Sequence, residues 1–86
     1  MTAAYRVFIA AEVVVGLRSQ RGPAKQVLAR FFDELAVNPF RPGDFMEYDQ
    51  FGRPIQVAII GRFAVCYWAD HAVKEVKILD LKTVGD

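Results

Sequence analysis

The sequence contains few of the residues that bind metals or cross-link chains. It has one cysteine, Cys66, and one histidine, His71, in 86 residues. A single cysteine forms no internal disulfide and cannot supply the several thiolates of a structural zinc site. A single histidine likewise excludes a histidine-rich metal site. The composition therefore predicts a protein of a reducing compartment that needs no metal or other cofactor.

The sequence also lacks an excess of charge of one sign. Its 11 basic and 10 acidic residues leave a net charge of +1. Nucleic-acid-binding domains usually show a clear basic excess. The charge balance thus argues against a surface that is basic overall, and it leaves room only for a local basic patch.

Long apolar runs are absent as well. No stretch approaches the roughly 20 apolar residues of a membrane helix. The apolar run from Val7 to Val15 is broken by Glu12, and it has neither the basic lead nor the cleavage site of a signal peptide. We therefore expect a cytoplasmic protein without membrane contact.

The apolar residues that are present suffice for one folded domain. They make up 53% of the chain and include seven Phe, three Tyr and one Trp. Aromatic side chains bury large areas, which excludes the composition of a disordered chain. A chain of this length forms one domain, which we assign to residues 1–86.

The N-terminal half reads as a strand followed by two helices. Residues 5–9 alternate as a short strand, and residues 10–20 have an apolar stripe at helical spacing. Three consecutive valines and a glycine are poor helix formers, so a longer first strand is the alternative. Pro23 then opens a second helix over residues 24–37, and Pro39 ends it.

The C-terminal half reads as four strands, over residues 44–49, 54–60, 63–69 and 73–81. The links between them are short, and short links require antiparallel pairing. The predicted fold is therefore α+β, with a short N-terminal strand, an antiparallel helical hairpin and a mainly antiparallel sheet of about four further strands.

The two central predicted strands are apolar on both faces, whereas a sheet covered by helices on one side should alternate. One set of alternating positions contains Ile60, Cys66 and Trp68, and it is too apolar for open water. This chain could cover that face itself, or bases could stack on Trp68. We favour cover by a partner chain, with Ile60, Cys66 and Trp68 as partner-binding residues.

Three segments resemble motifs of a known superfamily. They are Leu35-Ala36-Val37-Asn38-Pro39 with the following Gly43-Asp44, then Gly61-Arg62-Phe63-Ala64-Val65-Cys66-Tyr67, and Val76-Lys77-Ile78-Leu79-Asp80. Together with the order of elements, they resemble the RelE/ParE toxin superfamily over nearly the whole chain.

The resemblance implies a toxin-like component of a bacterial toxin–antitoxin system that an antitoxin binds and neutralises. In the ribonuclease branch of the superfamily, members cut messenger RNA on the ribosome, and in the ParE-like branch they poison DNA gyrase. The implied partners are thus an antitoxin or a second copy of the chain, with ribosome and mRNA or DNA gyrase as the target.

The ribonuclease branch needs fixed cations for an anionic transition state and a base for the 2′-hydroxyl. The motif arginine of that branch falls on Ala64 here, and no basic cluster follows the last strand. A relocated catalytic set would consist of Arg62, His71 and Lys82, with His71 as the base because histidine is the residue type suited to acid–base chemistry near neutral pH. The alternatives are a solvated Arg62 and a plain polar turn at His71, in a catalytically inactive RelE/ParE-like binding or dimerisation module.

Two loop residues are candidates for anion contact. Arg41 and Arg53 lie next to Pro42 and Pro54 in predicted loops. Basic residues in loops are more often exposed to water without binding a ligand. Anion binding is therefore the more specific of the two interpretations, and simple solvent exposure is the other.

Overall fold

The protein has an α+β architecture with one sheet and two helices. In the computed structural model, which describes residues 4–84, the helices are α1 (Ala11–Arg18) and α2 (Gly22–Val37). The strands are β1 (Arg6–Ile9), β2 (Phe45–Tyr48), β3 (Pro54–Ile60), β4 (Phe63–Asp70) and β5 (Glu75–Thr83). The predicted fold class is confirmed.

The segment after β1 is helical, so the alternative of a longer first strand is wrong. The Ala10 N–H donates to the Ile78 carbonyl, and the Ala10 carbonyl then accepts from Val13 and Val14 to begin α1. Val13 is buried in the core. Tertiary burial of one face therefore outweighs the low helix propensity of the valines.

The second helix supplies most of the helical contribution to the core. Its residues Leu28, Phe31, Phe32 and Leu35 are buried, as the helical spacing predicts. The Asn38 N–H closes the last turn on the Glu34 carbonyl at 2.8 Å. The following proline cannot continue the helix.

The sheet order is β1-β5-β4-β3-β2, with β1 parallel to β5 and all other pairs antiparallel. The last strand therefore lies inside the sheet, and β1 and β2 are its edges. β5 begins two residues later than predicted because residues 71–74 form a turn, in which Lys74 adopts φ 57°. Between β4 and β5 the register shifts at Cys66 and Tyr67, which leaves Leu79 unpaired in a bulge.

Both helices pack on one face of the sheet, and Tyr67 of β4 joins three parts of the fold there. Its side chain is buried, and its ring contacts the Phe31 ring edge-on at a centroid distance of 5.7 Å. Its hydroxyl donates to the Arg41 carbonyl at 2.8 Å. Burial raises the pKa of Tyr67, so the hydroxyl keeps the proton that this bond requires.

A glycine sets how closely the loop before β2 approaches β3. A Cβ on Gly43 would lie 2.5 Å from the Val57 carbonyl oxygen, which is too close for any side chain. The Gly43 N–H donates to Gln56 Oε1 at 2.8 Å, and the Asp44 N–H donates to the Val57 carbonyl at 2.8 Å. The position of β2 therefore depends on the missing side chain at residue 43.

The turn between β2 and β3 is organised by one carboxylate. Asp49 Oδ1 accepts the backbone N–H groups of Phe51 and Arg53, each at 2.9 Å. Asp49 Oδ2 accepts the Arg53 side-chain Nε–H at 2.9 Å. The Arg53 backbone hydrogen bond is the largest cause that lowers the pKa of Asp49, and the bond from Phe51 and the Arg53 charge lower it further.

We predict opposite effects for two glycine-to-alanine substitutions. Gly43→Ala should destabilise the protein by about 1–3 kcal/mol because backbone atoms must move to admit the methyl group. Gly16→Ala should stabilise it by about 0.5–1 kcal/mol, because Gly16 lies in α1 and its Cβ would meet only Leu81 at 3.7 Å. Urea unfolding of both variants measures the change in the free energy of unfolding. A Gly43→Ala variant as stable as the wild type would contradict the close approach of Gly43 to Val57.

We also predict a specific loss of stability in acid. A carboxyl group whose pKa is lowered in the folded state stabilises the fold above its ordinary pKa, and this contribution disappears as the pH falls through the folded value. Asp49→Asn should therefore be less stable than the wild type near neutral pH, and the difference should narrow in acid. Urea midpoints measured from neutral to acidic pH test this, and a difference that is constant with pH would exclude it.

Candidate functional site

The sheet face opposite the helices has an apolar floor, formed by Ile55, Val57, Ala64 and Cys66. The register places Val57 beside Cys66, because β3 and β4 are joined by a two-residue turn. All four residues are at most 7% exposed in the single chain. The floor is therefore already shielded from water without a partner chain.

The predicted grouping of residues on this face was wrong for Ile60. It packs against the cluster under the helices, whereas Cys66 and Trp68 belong to the opposite face. The antiparallel register pairs Ile60 with Phe63, whose side chain points into the helix-side core. The partner-binding role of Cys66 and Trp68 stays a prediction. Burial raises the pKa of the Cys66 thiol.

Charged side chains around Trp68 help to cover the floor. The Arg53 guanidinium lies 4.4 Å from the centre of the indole ring, and Lys77 Nζ lies 5.0 Å from it. Lys77 also pairs with Asp70 at 3.7 Å. Cations over an indole ring are attracted by its electron-rich face, so these side chains hold Trp68 in place in the isolated chain.

The largest concentration of exposed apolar side chains lies instead around β2. We call this group the β2 rim: Phe40, Phe45, Met46, Tyr48 and Phe51, which are 48–80% exposed. All four residues of β2 itself are exposed, and β2 has a neighbouring strand on one side only. Sequence reasoning missed this surface, although apolar residues at both alternations of residues 44–49 and aromatic residues in the flanking loops were visible signals.

The candidate catalytic residues do not form one site. Arg62 lies in the turn before β4, where its carbonyl accepts the Val84 N–H at 2.8 Å. Lys82 of β5 is close by, because it lies opposite Ala64 of β4. His71 follows the other end of the eight-residue strand β4, so it lies about 25 Å away at the usual strand rise. Lys82 is ion-paired with Asp80 at 3.7 Å. A single active site built from all three residues is therefore excluded by the fold, and a role for each residue alone stays a prediction.

His71 lies in an aromatic environment. Its Nδ1 lies 2.9 Å from the Tyr5 hydroxyl, and its ring stacks on Phe40 with a centroid distance of 4.4 Å. In the tautomer in which Nδ1–H donates to the Tyr5 hydroxyl, Nε2 carries the free lone pair that a proton acceptor needs.

The two candidate anion-binding residues are each engaged by a carboxylate. Arg41 pairs with Glu34 at 2.6 Å and lies 4.8 Å from the centre of the Phe31 ring. Arg53 pairs with Asp49 at 2.9 Å. Arg41, together with Phe40 and His71, lines a cleft of about 330 Å³. Because both guanidiniums are partly neutralised, anion binding by them stays a prediction.

Two further features bear on the site. Within residues 4–84, no group of three or more His, Cys, Asp and Glu side chains lies close enough together to hold a metal ion. Neither helix in this part of the chain has the length and apolar character needed to cross a membrane.

Comparison with known proteins finds likeness in structure. No protein-family model and no curated protein matches the sequence. A chain of the archaeal RelE–RelB complex from Pyrococcus horikoshii OT3 matches with a TM-score of 0.79 and 26% identity, over 93% of this chain and 94% of that one.

A second solved structure, the toxin–antitoxin complex RelBE2 from Mycobacterium tuberculosis, matches with a TM-score of 0.77. Its identity is 20%, over 100% of this chain and 98% of that one, which is a likeness of fold alone. The matches cover 93% and 100% of this chain, so the superfamily resemblance of the sequence is confirmed at the level of structure. This chain has the RelE-like toxin fold.

Proposed function

We propose that this chain is the toxin component of a toxin–antitoxin pair and that an antitoxin protein binds and neutralises it. The observation that carries the proposal is the match over almost the full length of both chains to a chain of the RelE–RelB complex, at 26% identity.

An exposed binding surface supports the same proposal. The β2 rim presents five large apolar side chains, and exposed apolar groups of this kind mark protein-binding surfaces. A protein that is neutralised by a partner needs such a surface. In this chain it lies apart from the buried floor of the sheet.

The proposed toxic action is on translation or on DNA gyrase, and it does not use Arg62, His71 and Lys82 as one catalytic set. The length of β4 separates His71 from the other two. Acid–base catalysis needs groups within hydrogen-bond reach of the same substrate atoms. Binding to the target, rather than RNA cleavage by this set, is the mode of action that the geometry supports.

A second candidate function is a catalytically inactive RelE/ParE-like binding module. It is favoured by the distance between His71 and the other two residues of the catalytic set. It is also favoured by the ion pairs that engage Arg41, Arg53 and Lys82. The two proposals differ in one respect, which is whether the free chain harms a cell.

We predict that tightly induced expression of the chain alone arrests the growth of bacterial cells. Val65→Asp is the control for the burden of expression, because it places a charge at a position that is 0% exposed and should prevent folding. Comparison of total protein synthesis with plasmid supercoiling then distinguishes translation from DNA gyrase as the target. Unimpaired growth with soluble wild-type protein accumulating would favour the binding module.

We further predict that any RNA cleavage by the chain does not depend jointly on His71 and Arg62. The assay uses translating ribosomes with a defined mRNA, and primer extension maps the cuts. At most one of the variants His71→Ala and Arg62→Ala should change the wild-type pattern, because the two residues lie about 25 Å apart and cannot act at one site. Cleavage by the wild type that each substitution abolishes would restore the relocated ribonuclease site.

A further inference from the structure

The outer edge of β2 is the less protected of the two edges of the sheet. At the opposite edge, the segment leading into β1 is tied to α2 by a hydrogen bond from the Tyr5 N–H to the Ala36 carbonyl. Residues of β1 are alternately exposed and half-buried, whereas all of β2 is exposed. Natural sheets usually cover or charge a free edge, because unpaired backbone groups there can pair with another chain.

The side chains of β2 offer apolar contacts on both faces of the sheet. Phe45 lies on the same face as Val57 and is 50% exposed. Met46 and Tyr48 lie on the other face and are 48% and 68% exposed. An added strand places its own side chains alternately on the two faces. Side chains of the added strand would therefore meet apolar neighbours on both faces, and Glu47 lies beside Phe45 on one of them.

The edge is also held in an extended conformation before any partner arrives. The Asp44 N–H donates to the Val57 carbonyl, and Asp44 Oδ2 accepts the Ile59 N–H at 2.6 Å. At the other end, the Asp49 N–H donates to the Arg53 carbonyl at 3.0 Å. A strand that is ordered in advance reduces the entropic cost of binding.

The charges of the edge indicate what kind of segment fits it. Residues 44–49 contain three acidic residues and no basic residue. Asp49 is paired with Arg53, but within residues 4–84 neither Asp44 nor Glu47 has an ion-pair partner. Opposite charges across paired strands are favourable and like charges are not.

A second copy of the chain fits this edge poorly. Antiparallel pairing of β2 with itself, centred on Glu47, places the two Glu47 carboxylates directly opposite each other on the same face of the sheet. The acidic edge thus favours a partner of opposite charge.

We infer that the β2 edge binds an extended, apolar and positively charged segment of a partner protein as a sixth strand of the sheet. Addition of a strand at a free edge is a general mode of peptide recognition, in which backbone hydrogen bonds hold the segment and side chains select it. The inference deepens the proposed function and rests on it, since the antitoxin is the partner that would supply the segment.

The test uses a capped peptide of about seven residues that alternates lysine with valine or isoleucine. Its controls are the same peptide with glutamate in place of lysine and the same peptide with a central proline. Amide NMR spectra and hydrogen exchange of the full chain locate the binding. The lysine peptide should slow exchange in β2, and the two control peptides should bind about tenfold more weakly or not at all.

Matched variants of the chain test the contribution of charge. Glu47→Lys and Glu12→Lys change the net charge equally at exposed positions, but only the first lies on β2. Glu47→Lys should weaken the lysine peptide about tenfold, and Glu12→Lys should leave its affinity unchanged. Equal binding of lysine and glutamate peptides, protection of β1 instead of β2, or equal effects of the two variants would overturn the inference.

Two other outcomes separate this inference from the proposed function. Growth arrest by a chain that binds none of the peptides would overturn the strand addition alone. Peptide binding by a chain that does not arrest growth would leave the strand addition standing and remove the toxin proposal. A concentration-dependent dimer whose β2 amides are protected without peptide would assign the edge to a second copy and also overturn the inference.

Discussion

The packing of α2 on the helix-side face of β4 is the interaction on which the rest of the structure depends. Tyr67 lies at its centre, where its ring contacts Phe31 and its hydroxyl holds the Arg41 carbonyl. That single side chain links the helix, the middle of the sheet and the loop that leads to β2. Without this contact the loop would lose the position from which Gly43 brings β2 against β3.

The same constraint explains why the two faces of the sheet differ. A pair of helices covers one face only, so the other face must be shielded by its own side chains or by another chain. Here small residues such as Ala64 and Cys66 lie beneath larger charged and aromatic neighbours, including Trp68. The apolar floor is thus a second small core, and the apolar surface that stays exposed is the β2 rim.

Much of the fold could be predicted from the sequence, because the strong local signals agree with the tertiary structure. The helical stripe of α2 and the limits of β3 are examples. The assignment of Ile60 to the face of Cys66 was wrong for a physical reason. A two-residue turn at positions 61–62 pairs residue 60 with residue 63, so alternate positions change face between the two strands.

Other features left no readable signal in the sequence. The bulge at Leu79 depends on how β4 and β5 meet, and the parallel pairing of β1 with β5 depends on the helices that connect the halves of the chain. The proximity of Tyr5 and His71 joins residues 66 positions apart, which no local pattern encodes. The separation of His71 from Arg62, by contrast, was implicit in the predicted strand over residues 63–69, and the proposed catalytic set overlooked it.

The account is tested most directly by hydrogen exchange and mass spectrometry on a complex with the natural partner. Co-expression of this chain with the protein encoded by the neighbouring gene provides the sample. The account predicts a stable complex in which exchange slows at Phe45–Tyr48 relative to the free chain. Failure to form a complex, or protection confined to the helices or to the floor of the sheet, would contradict it.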